Sequence, residues 1–500
     1  MKIVPTTPIT MVRLCTNVPL DNTYKDTLTF GSASAQSSFF ASKAKFTFNN
    51  LTPIRLQNKM RIPKPADDVF DCNYLMFQNA NFSNKWFYAF ITSIDFINTN
   101  MCEIGFELDV MQTWYFDYEV KPSFVQREHV NDDTVGANIV YEGLELGEYV
   151  VNGNGSNSGQ MNFYSIVIAA TTDELGNDAI GGYQGGVYSG LKYNVFNSAT
   201  GANNMISYLV AGNKQTAIVD MFMFPSNFIR ADGLPASVNI NKQKRTSGTL
   251  DGYTPRNNKL YTYPYNFLYV TCGNGTYAAY KYEYFSGNTC TFSITASVGG
   301  QPQIMLTPVT YKGVPNNYNE KMVMDGFPHC AYTTDAYMAW SAQVGSAPYL
   351  AMAGSALSTV GSIASGNVSG AVGGVIGILG QLNQMQRIEM LPPQAAGSQG
   401  QSVALATGNL DFWFYPKSIT AEYARIIDDF FDMFGYAVNE VKVPNITGRP
   451  SWNYVKTIDC KCVGSVPFDD MAKIRANYDK GITFWHGDYV GDYTRGNSVN

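Results

Sequence analysis

A long stretch without charged side chains sets this 500-residue chain apart from an ordinary soluble domain. Residues 341–386, between Trp340 and Arg387, contain no Asp, Glu, Lys or Arg and consist mostly of Gly, Ala, Ser, Val, Ile and Leu. Soluble domains normally carry a charge every few residues. No window reaches about 18 consecutive strongly apolar residues, so the stretch does not predict an ordinary spanning helix. It predicts a segment that is first kept in water and later meets an apolar surface.

Two interpretations of this stretch stay open. Uncharged Gly/Ser-rich sequences are often flexible loops. The Val/Ile/Leu run from Val372 to Leu379 is not typical of a linker, however, and favours conditional contact with a membrane. Glycines at spacings of four residues let helix backbones approach closely in lipid. The glycines predicted to pack helices together are Gly366, Gly370, Gly373, Gly374 and Gly377.

The composition predicts a mainly β protein. Five hundred residues are enough for two to four domains with ample core. Only 15% of the residues are charged, whereas 14% are aromatic, including 33 Tyr and 30 Phe. Low charge with abundant Tyr, Phe, Thr, Asn and Gly is typical of extended β proteins with many turns. Because aromatic side chains are favoured at subunit contacts, the composition also favours an oligomer.

The charge balance argues against tight binding of nucleic acid. The net charge is −6, and the sequence shows no run of Lys or Arg. Sequence-specific or tight nucleic-acid binding needs a basic footprint. A protein that only lets DNA slide past would instead need a neutral or acidic lining.

The eight cysteines lack the density of a disulfide scaffold, and we expect them to be buried free thiols. Cys460 and Cys462 are expected on one strand with both side chains on one face. No second CxxC and no paired histidine completes a metal site, so neither a metal nor another cofactor is predicted. The N-terminal sequence MKIVPTTPITMVRL has no apolar signal core, which makes export by a signal peptide unexpected.

No catalytic constellation stands out. His129 follows Glu128, but neighbours on a strand point to opposite faces, so structural polar contacts are the better interpretation. His486 beside Asp488 gives no stronger indication of catalysis. The acidic pair at 428–429 fits the first turn or the solvated face of a helix. Motifs for nucleophilic, metal or nucleotide chemistry are missing from the sequence, and we predict that the chain is not an enzyme.

The periodicity of the sequence predicts strands in the first 130 residues and an α+β C-terminal region whose strands pair with them. A short helix is predicted around Phe39. Apolar residues at helical spacing predict a helix over 419–434, ended by Gly435. A second helix is predicted over 470–480, with Asp470 as N-cap and Gly481 as terminator.

Several stretches resemble the tail knob, or distal tail tube, proteins of phi29-like podoviruses. In the N-terminal region these are YLMFQNANFSNKWFYAFITSIDFIN, FELDVMQTWYFDY, SFVQREHV and YEGLELGEY. In the C-terminal region they are AEYARIIDDFFDMFGYAVNEVKVPN, WNYVKTIDC and IRANYDKGITFWHGD. The two groups occur in the family's order and cover roughly residues 10–150 and 400–495. The central region, about 151–335, matches poorly.

The resemblance implies β-barrel tube domains and an oligomer of six copies. It implies an N-terminal tube region at 1–130, a β-rich middle or distal knob region at 131–340, a hydrophobic loop at 341–397 and an α+β region at 398–500 that completes the tube. In such a virion protein the tube conducts the genome, while hydrophobic loops plug its end and then penetrate the host membrane. The implied partners are further copies, upper tail or lower collar proteins, a distal tip protein and the host membrane, with assembly in the host bacterial cytoplasm. DNA passes through the lumen without sequence-specific binding.

Two other classes of function stay open. One is a receptor-binding or cell-wall-degrading tail component, whose groove would lie in residues 151–335. The other is a free pore-forming toxin that inserts the same hydrophobic segment. The residues predicted to contact the membrane are Leu350, Leu357, Val360, Ile363, Val368, Val372, Val375, Ile376, Ile378 and Leu379.

Overall fold

The computed structural model describes residues 9–51, 53–54, 58–161, 164–175, 183–184, 187–188, 190–228, 237–272, 276–297, 302–325, 327, 411–447 and 453–495. The chain is mainly β and divides into two compact units. Unit 1 comprises Met1–Glu145, Pro255–Lys259 and Glu422–Asn500. Unit 2 comprises Leu146–Thr254 and Leu260–Ala421.

Strands are numbered in chain order. The first ten are β1 Ile9–Thr16, β2 Asp26–Leu28, β3 Ala44–Leu51, β4 Pro53–Ile54, β5 Lys59–Ile62, β6 Cys72–Asn79, β7 Trp86–Asn98, β8 Met101–Leu108, β9 Tyr118–Val120 and β10 Ser123–Glu128. The next eight are β11 Tyr149–Val151, β12 Ser156–Asn157, β13 Tyr164–Ala170, β14 Tyr183–Gln184, β15 Val187–Tyr188, β16 Lys192–Phe196, β17 Ile218–Pro225 and β18 Ser237–Gln243. The remainder are β19 Asn266–Thr271, β20 Tyr277–Tyr280, β21 Thr289–Ser297, β22 Gln303–Tyr311, β23 Val314–Asn316, β24 Met322–Met324, β25 Trp413–Ile419, β26 Tyr436–Lys442, β27 Tyr454–Ile458, β28 Cys462–Gly464 and β29 Ile482–Trp485. The α-helices are α1 Ala33–Ser42, α2 Ala66–Val69, α3 Val110–Thr113, α4 Ala199–Ala211, α5 Ala421–Phe434 and α6 Phe468–Lys480.

Unit 1 contains a seven-stranded antiparallel sheet, sheet I, in the order β3-β1-β6-β7-β8-β5-β4. Its buried side chains form one core with those of the C-terminal region. Helix α1 confirms the short helix predicted around Phe39: Ser32 caps its first turn, and Phe40 stacks on Tyr74 of the sheet with ring centroids 5.1 Å apart.

The second sheet of unit 1, sheet II, joins distant parts of the sequence in the order β2-β29-β27-β10-β26. Strand β10 pairs antiparallel with both β26 and β27, while β2 runs parallel to β29. The prediction that C-terminal strands pair with N-terminal strands is therefore confirmed. Closure of these sheets into a barrel remains a prediction.

The two C-terminal helices match the sequence periodicity with one correction. Gly435, with φ +63°, ends α5, and Gly481, with φ +99°, ends α6, as predicted. Helix α6 begins at Phe468 with Pro467 at the N-cap, so the prediction of Asp470 as N-cap is wrong. Asp470 lies in the first turn instead, where its carboxylate accepts a 3.0 Å hydrogen bond from Trp114 Nε1.

Unit 2 consists of several antiparallel sheets around its own core. Sheet III has the order β11-β25-β19-β20, with β12 also paired to β25, and sheet IV has the order β16-β13-β17. Sheet V has the order β18-β21-β22-β23, with β24 also paired to β22. Along β21 the burial alternates residue by residue, because successive side chains of a strand point to opposite faces.

Seven of the eight cysteines fall in the described parts of the chain, where all are buried free thiols as predicted. The expectation that Cys460 and Cys462 share a strand is wrong. Strand β27 ends at Ile458 and β28 begins at Cys462, so Cys460 lies in the turn between them. The two Sγ atoms are 3.6 Å apart.

Candidate functional site

The residues predicted to act on a membrane lie outside the described residues. The ten apolar positions from Leu350 to Leu379 and the five glycines from Gly366 to Gly377 all fall within residues 328–410. Among the described helices, none is long and apolar enough to span a bilayer. The described residues nearest to this segment are those that precede it, up to Phe327, and those that follow it, from Asp411.

The chain enters the segment from the core of unit 2. Strand β24 pairs with β22, which fixes Met324 opposite Ile304. Met324 and, three residues later, Phe327 are both fully buried in the unit 2 core. The Phe327 ring contacts the Phe224 ring with centroids 4.8 Å apart. Burial of two large side chains within four residues gives this end a firm attachment.

After the segment, the chain is held in place by the buried carboxylate of Asp411. Asp411 is almost fully buried and accepts hydrogen bonds from the backbone N–H groups of Ser158 (3.2 Å), Gly159 (3.3 Å) and Phe412 (2.6 Å), and from the Ser158 hydroxyl. Burial raises the pKa of Asp411, and these hydrogen bonds oppose the shift. The next side chains, Phe412 and Phe414, enter the same core as Met324.

The residues on both sides of the segment are held by contacts within unit 2. Strand β25 is held on one side by β19 and on the other by β11 and β12, so its position depends on residues far from the segment. Both attachments belong to unit 2, and their buried residues form one hydrophobic cluster.

A second candidate surface is an exposed apolar row on sheet II of unit 1. Phe124 on β10 lies directly opposite Val441 on β26 and Ile458 on β27, so all three side chains share one face of the sheet. Val441 is 70% exposed, Ile458 51% and Phe124 37%. Strand β26 is the edge of this sheet among the described residues. We call these three residues the apolar row; neighbouring exposed apolar side chains of this kind mark interaction surfaces.

A buried polar cluster in unit 1 was missed by the sequence analysis. Asp428 is fully buried in the middle of α5, so the expectation that it lies in a first turn or on a solvated face is wrong. Its carboxylate accepts the backbone N–H groups of Arg256 (2.7 Å) and Asn257 (3.0 Å) and the Asn257 side-chain amide (2.6 Å). The Arg256 guanidinium also pairs with Asp432 at 2.7 Å. The segment 255–259 is thereby fixed to α5.

The same cluster contains buried ion pairs. Glu142, whose side chain is almost fully buried, pairs with Lys259 and with Arg127. It also accepts the Ala437 backbone N–H at 2.9 Å. Burial lowers the pKa of Lys259, and the Glu142 carboxylate opposes that shift. All of these groups are partnered with one another, so the cluster has the character of a structural network.

The histidines that the sequence raised as catalytic candidates have structural contacts where they are described. His129 is fully buried: its Nδ1 accepts the Tyr454 N–H at 2.7 Å, and its Nε2 donates to the carbonyls of Phe431 (3.0 Å) and Asp432 (3.1 Å). The preceding residue, Glu128, has different partners: its carboxylate pairs with Lys442 and accepts the Asn445 backbone N–H. His486 contacts the Thr29 hydroxyl at 2.5 Å. Within the described parts of the chain no group of three or more metal-ligating side chains converges.

Comparison with known proteins gives a consistent family assignment. The family described as the C-terminal domain of tail knob protein gp9 of Bacillus phage phi29 matches residues 229–498, and the family described as the caudoviral major tail protein N-terminus matches residues 8–119. The tail knob protein gp9 of Bacillus phage B103 is 28% identical, and that of Bacillus phage phi29 is 27% identical, each over 98% of both chains. These alignments span 595 and 593 positions, so the relatives carry residues that this chain lacks.

A solved structure shows the same fold at lower identity. The tail knob protein gp12 of bacteriophage C1 superposes with a TM-score of 0.64 and 14% identity, over 98% of this chain and 100% of that one. With more than half of the sequence matched by one family and nearly all of it by curated relatives, the resemblance noted in the sequence is confirmed. This chain belongs to the phi29-type tail knob protein family, and it is a structural component of the phage tail rather than an enzyme.

Proposed function

We propose that six copies of this chain close into the distal tube of the phage tail and that the genome leaves the virion through the lumen. Family membership and the mainly β fold support this role. The net charge of −6 also supports it, because a conduit should not retain DNA. A closed ring of like subunits is the ordinary symmetric solution for such a conduit.

The apolar row supplies a surface for contact between copies in this proposal. Its three side chains lie in register across three strands, one of which, β26, is an edge strand among the described residues. Burying them against the next copy would remove apolar surface from water and cover the free edge of β26. Upper tail or lower collar proteins and a distal tip protein would cover the two ends of the tube, and assembly would take place in the host bacterial cytoplasm.

The hydrophobic segment is the proposed plug and membrane-penetrating element. The observation that carries this proposal is an uncharged stretch at 341–386 whose flanks are both anchored in the unit 2 core. Six copies can cover one another's apolar side chains inside the tube, which explains how such a stretch is kept in water. On release, Val375, Ile376 and Ile378 would face lipid, while Gly370 and Gly374 would allow close helix contacts.

The conduit is tested by the mass and shape of the purified full-length protein. Six copies of a 55.1 kDa chain weigh about 330 kDa, and electron micrographs should show closed rings or tubes. Mass photometry over a range of concentrations separates a stable hexamer from loose association. A compact monomer that forms no ring, even when mixed with the upper tail proteins of its virion, would contradict the conduit.

The membrane role is tested separately by dye release from liposomes. The double variant Val375→Asp, Ile378→Asp should assemble as the wild type does but lose dye release, because charges at these positions oppose insertion. A protein without residues 345–390 should behave in the same way. Val219→Asp, Val314→Asp is the matched control, with the same two charges placed at exposed positions on two strands of unit 2. Undiminished leakage by the Val375/Ile378 variant would show that the segment is not the membrane-active element.

A further inference from the structure

A cavity of about 360 Å³ in unit 2 concentrates positive charge in an otherwise acidic protein. Lys242 at the end of β18 and the following Lys244 and Arg245 line it. The cavity is also lined by residues before and within β12 and by Phe414 of β25, and Lys242 contacts both Ser156 and Phe414. In the sequence these cations do not form an unbroken basic run, because Gln243 interrupts them. Three cations within four residues are nevertheless a local basic site.

Each of the three cations is held by uncharged acceptors. Lys242 Nζ donates to Ser156 Oγ at 3.0 Å and to the Asn157 carbonyl at 2.8 Å. Lys244 Nζ donates to the Phe285 carbonyl at 2.8 Å. The Arg245 guanidinium donates to two further backbone carbonyls, those of Asn152 at 3.0 Å and Thr249 at 2.6 Å. These bonds fix the directions of the cationic groups without cancelling their charge.

No carboxylate compensates the cluster at close range. Among the described residues, none of the three cations forms an ion pair within 4.0 Å, and the acidic groups that act on them, Asp411 on Lys242 and Glu283 on Lys244, do so only at longer distance. The Nε atom of Arg245 is buried and has no hydrogen-bond partner within the described part of the chain. Burial lowers the pKa of Lys242. An anion in the cavity would relieve all of these costs.

Part of the remaining lining fits a small polar ligand. The side-chain amides of Asn154 and Gln243 can bind hydroxyl groups. The Asn152 amide is already bonded to Ser418 Oγ and to the Asp251 N–H, and the Ser156 hydroxyl accepts Lys242 Nζ. Phe414 is buried beneath Lys242, whose Nζ lies 4.6 Å from its ring centroid. A volume of about 360 Å³ is far larger than a lone phosphate ion needs and lies at the small end of ligand pockets. A DNA duplex is too wide to enter it.

We propose that this cavity binds a phosphorylated monosaccharide, with its phosphate group against Lys242 and Arg245 and its hydroxyl groups on the side-chain amides of Asn154 and Gln243. The proposal is independent of the conduit, because it rests on side chains of unit 2 alone. It gives the tail knob protein a second activity, recognition of a sugar phosphate.

The test is isothermal titration calorimetry of the full-length protein with glucose 1-phosphate as the probe. Glucose 1-phosphate should bind about tenfold or more tightly than either glucose or inorganic phosphate, because only the sugar phosphate contacts both the cations and the free amides of the cavity. Lys242→Gln should weaken its binding by about tenfold or more, and Arg245→Gln should do the same. Raising the salt concentration should weaken the binding to wild-type protein.

Lys417→Gln is the matched control, since Lys417 Nζ also lies over an aromatic ring, 4.0 Å from that of Tyr269, but does not line the cavity. Its affinity for glucose 1-phosphate should equal that of the wild type. Melting temperatures identify variants that fail to fold, and the salt dependence of the wild type does not rely on any variant. Equal binding of glucose, or of inorganic phosphate, would overturn the proposal. So would displacement of the probe by a short DNA duplex, or unchanged binding by both cavity variants.

Discussion

Asn257 binds Asp428 twice, through its backbone N–H at 3.0 Å and its side-chain amide at 2.6 Å. Both residues are fully buried. This contact links a five-residue segment, Pro255–Lys259, to the helix α5 that begins more than 160 positions later in the sequence. It shows that Asp428 of α5 is part of the packing of unit 1.

We predict that Asp428→Ala destabilises unit 1 by about 3–5 kcal/mol, because it leaves the buried backbone N–H and side-chain amide of Asn257 without their acceptor and removes the carboxylate beside Arg256. Chemical unfolding followed by circular dichroism measures the loss. Asp429→Ala is the control, since its side chain is 62% exposed and its pair with Arg256 should contribute at most about 1 kcal/mol. Equal effects of the two substitutions would contradict the role given to Asp428.

Gly435 is expected to tolerate no side chain. Its φ is +63°, and a Cβ atom there would overlap the backbone carbonyl of Glu128. Gly435→Ala should therefore cost about 3 kcal/mol or more of unfolding free energy. Gly491→Ala separates the two causes: its φ is +84°, but nothing lies within 4 Å of the added atom, so only about 1 kcal/mol of backbone strain is expected. Thermal unfolding of both variants provides the comparison.

Asp109 should make the stability of unit 1 fall as the pH rises from about 4 to 6. Burial raises the pKa of this carboxyl to about 6, although it caps α3 and accepts the Tyr74 hydroxyl. Since the folded state holds the proton more tightly than the unfolded state, the stabilisation is complete below pH 4 and is lost as the pH passes 6, by on the order of 3 kcal/mol.

Asp109→Asn removes this titration while keeping an oxygen for the cap. Denaturant midpoints measured at pH 4.5 and 7 should differ less in this variant than in the wild type. Comparing the two proteins isolates Asp109 from the other buried carboxyl groups, such as Asp26 and Glu128, whose pKa values burial also raises. If the variant retains the full pH dependence of the wild type, the effect does not come from Asp109.

Val441→Lys should prevent assembly without unfolding the subunit. The side chain is 70% exposed, so the substitution should change subunit stability by no more than about 0.5 kcal/mol. At a contact between copies, however, it would bury an unpaired charge on an edge strand. Mass photometry should show monomers for this variant and unchanged oligomers for Val314→Lys, an exposed valine of unit 2. Normal assembly of Val441→Lys would remove the apolar row from the interface.

Local patterns were sufficient to predict much of the C-terminal region. The spacing of apolar residues predicted α5, and Gly435 and Gly481 marked the ends of both helices because few other residues adopt positive φ. Asp470 was misassigned as an N-cap because an acidic residue suits both the cap and the first turn of a helix. Pro467 was the better indicator of where α6 begins, because proline is excluded from the interior of a helix but accepted at its start.

Long-range contacts limited what the sequence could predict about sites. Asp428 follows Ile427, and both lie on the buried face of α5, but an acidic residue in a helix ordinarily indicates solvent. Its partner Asn257 is distant in sequence, and no local pattern connects the two. The basic cavity was missed for the same reason: Lys242 meets Ser156 and Phe414 only once three separate stretches of unit 2 have folded together.

In the proposed membrane role, the fixed ends of the hydrophobic segment limit how it can enter a bilayer. Met324 before it and Phe412 after it are buried in one core, so neither end is free to pass through a membrane while unit 2 stays folded. Each outward crossing must be followed by a return, which gives an even number of crossings per copy. A ring of six copies would then insert hairpins, with their tips on the far side and every attachment on the near side.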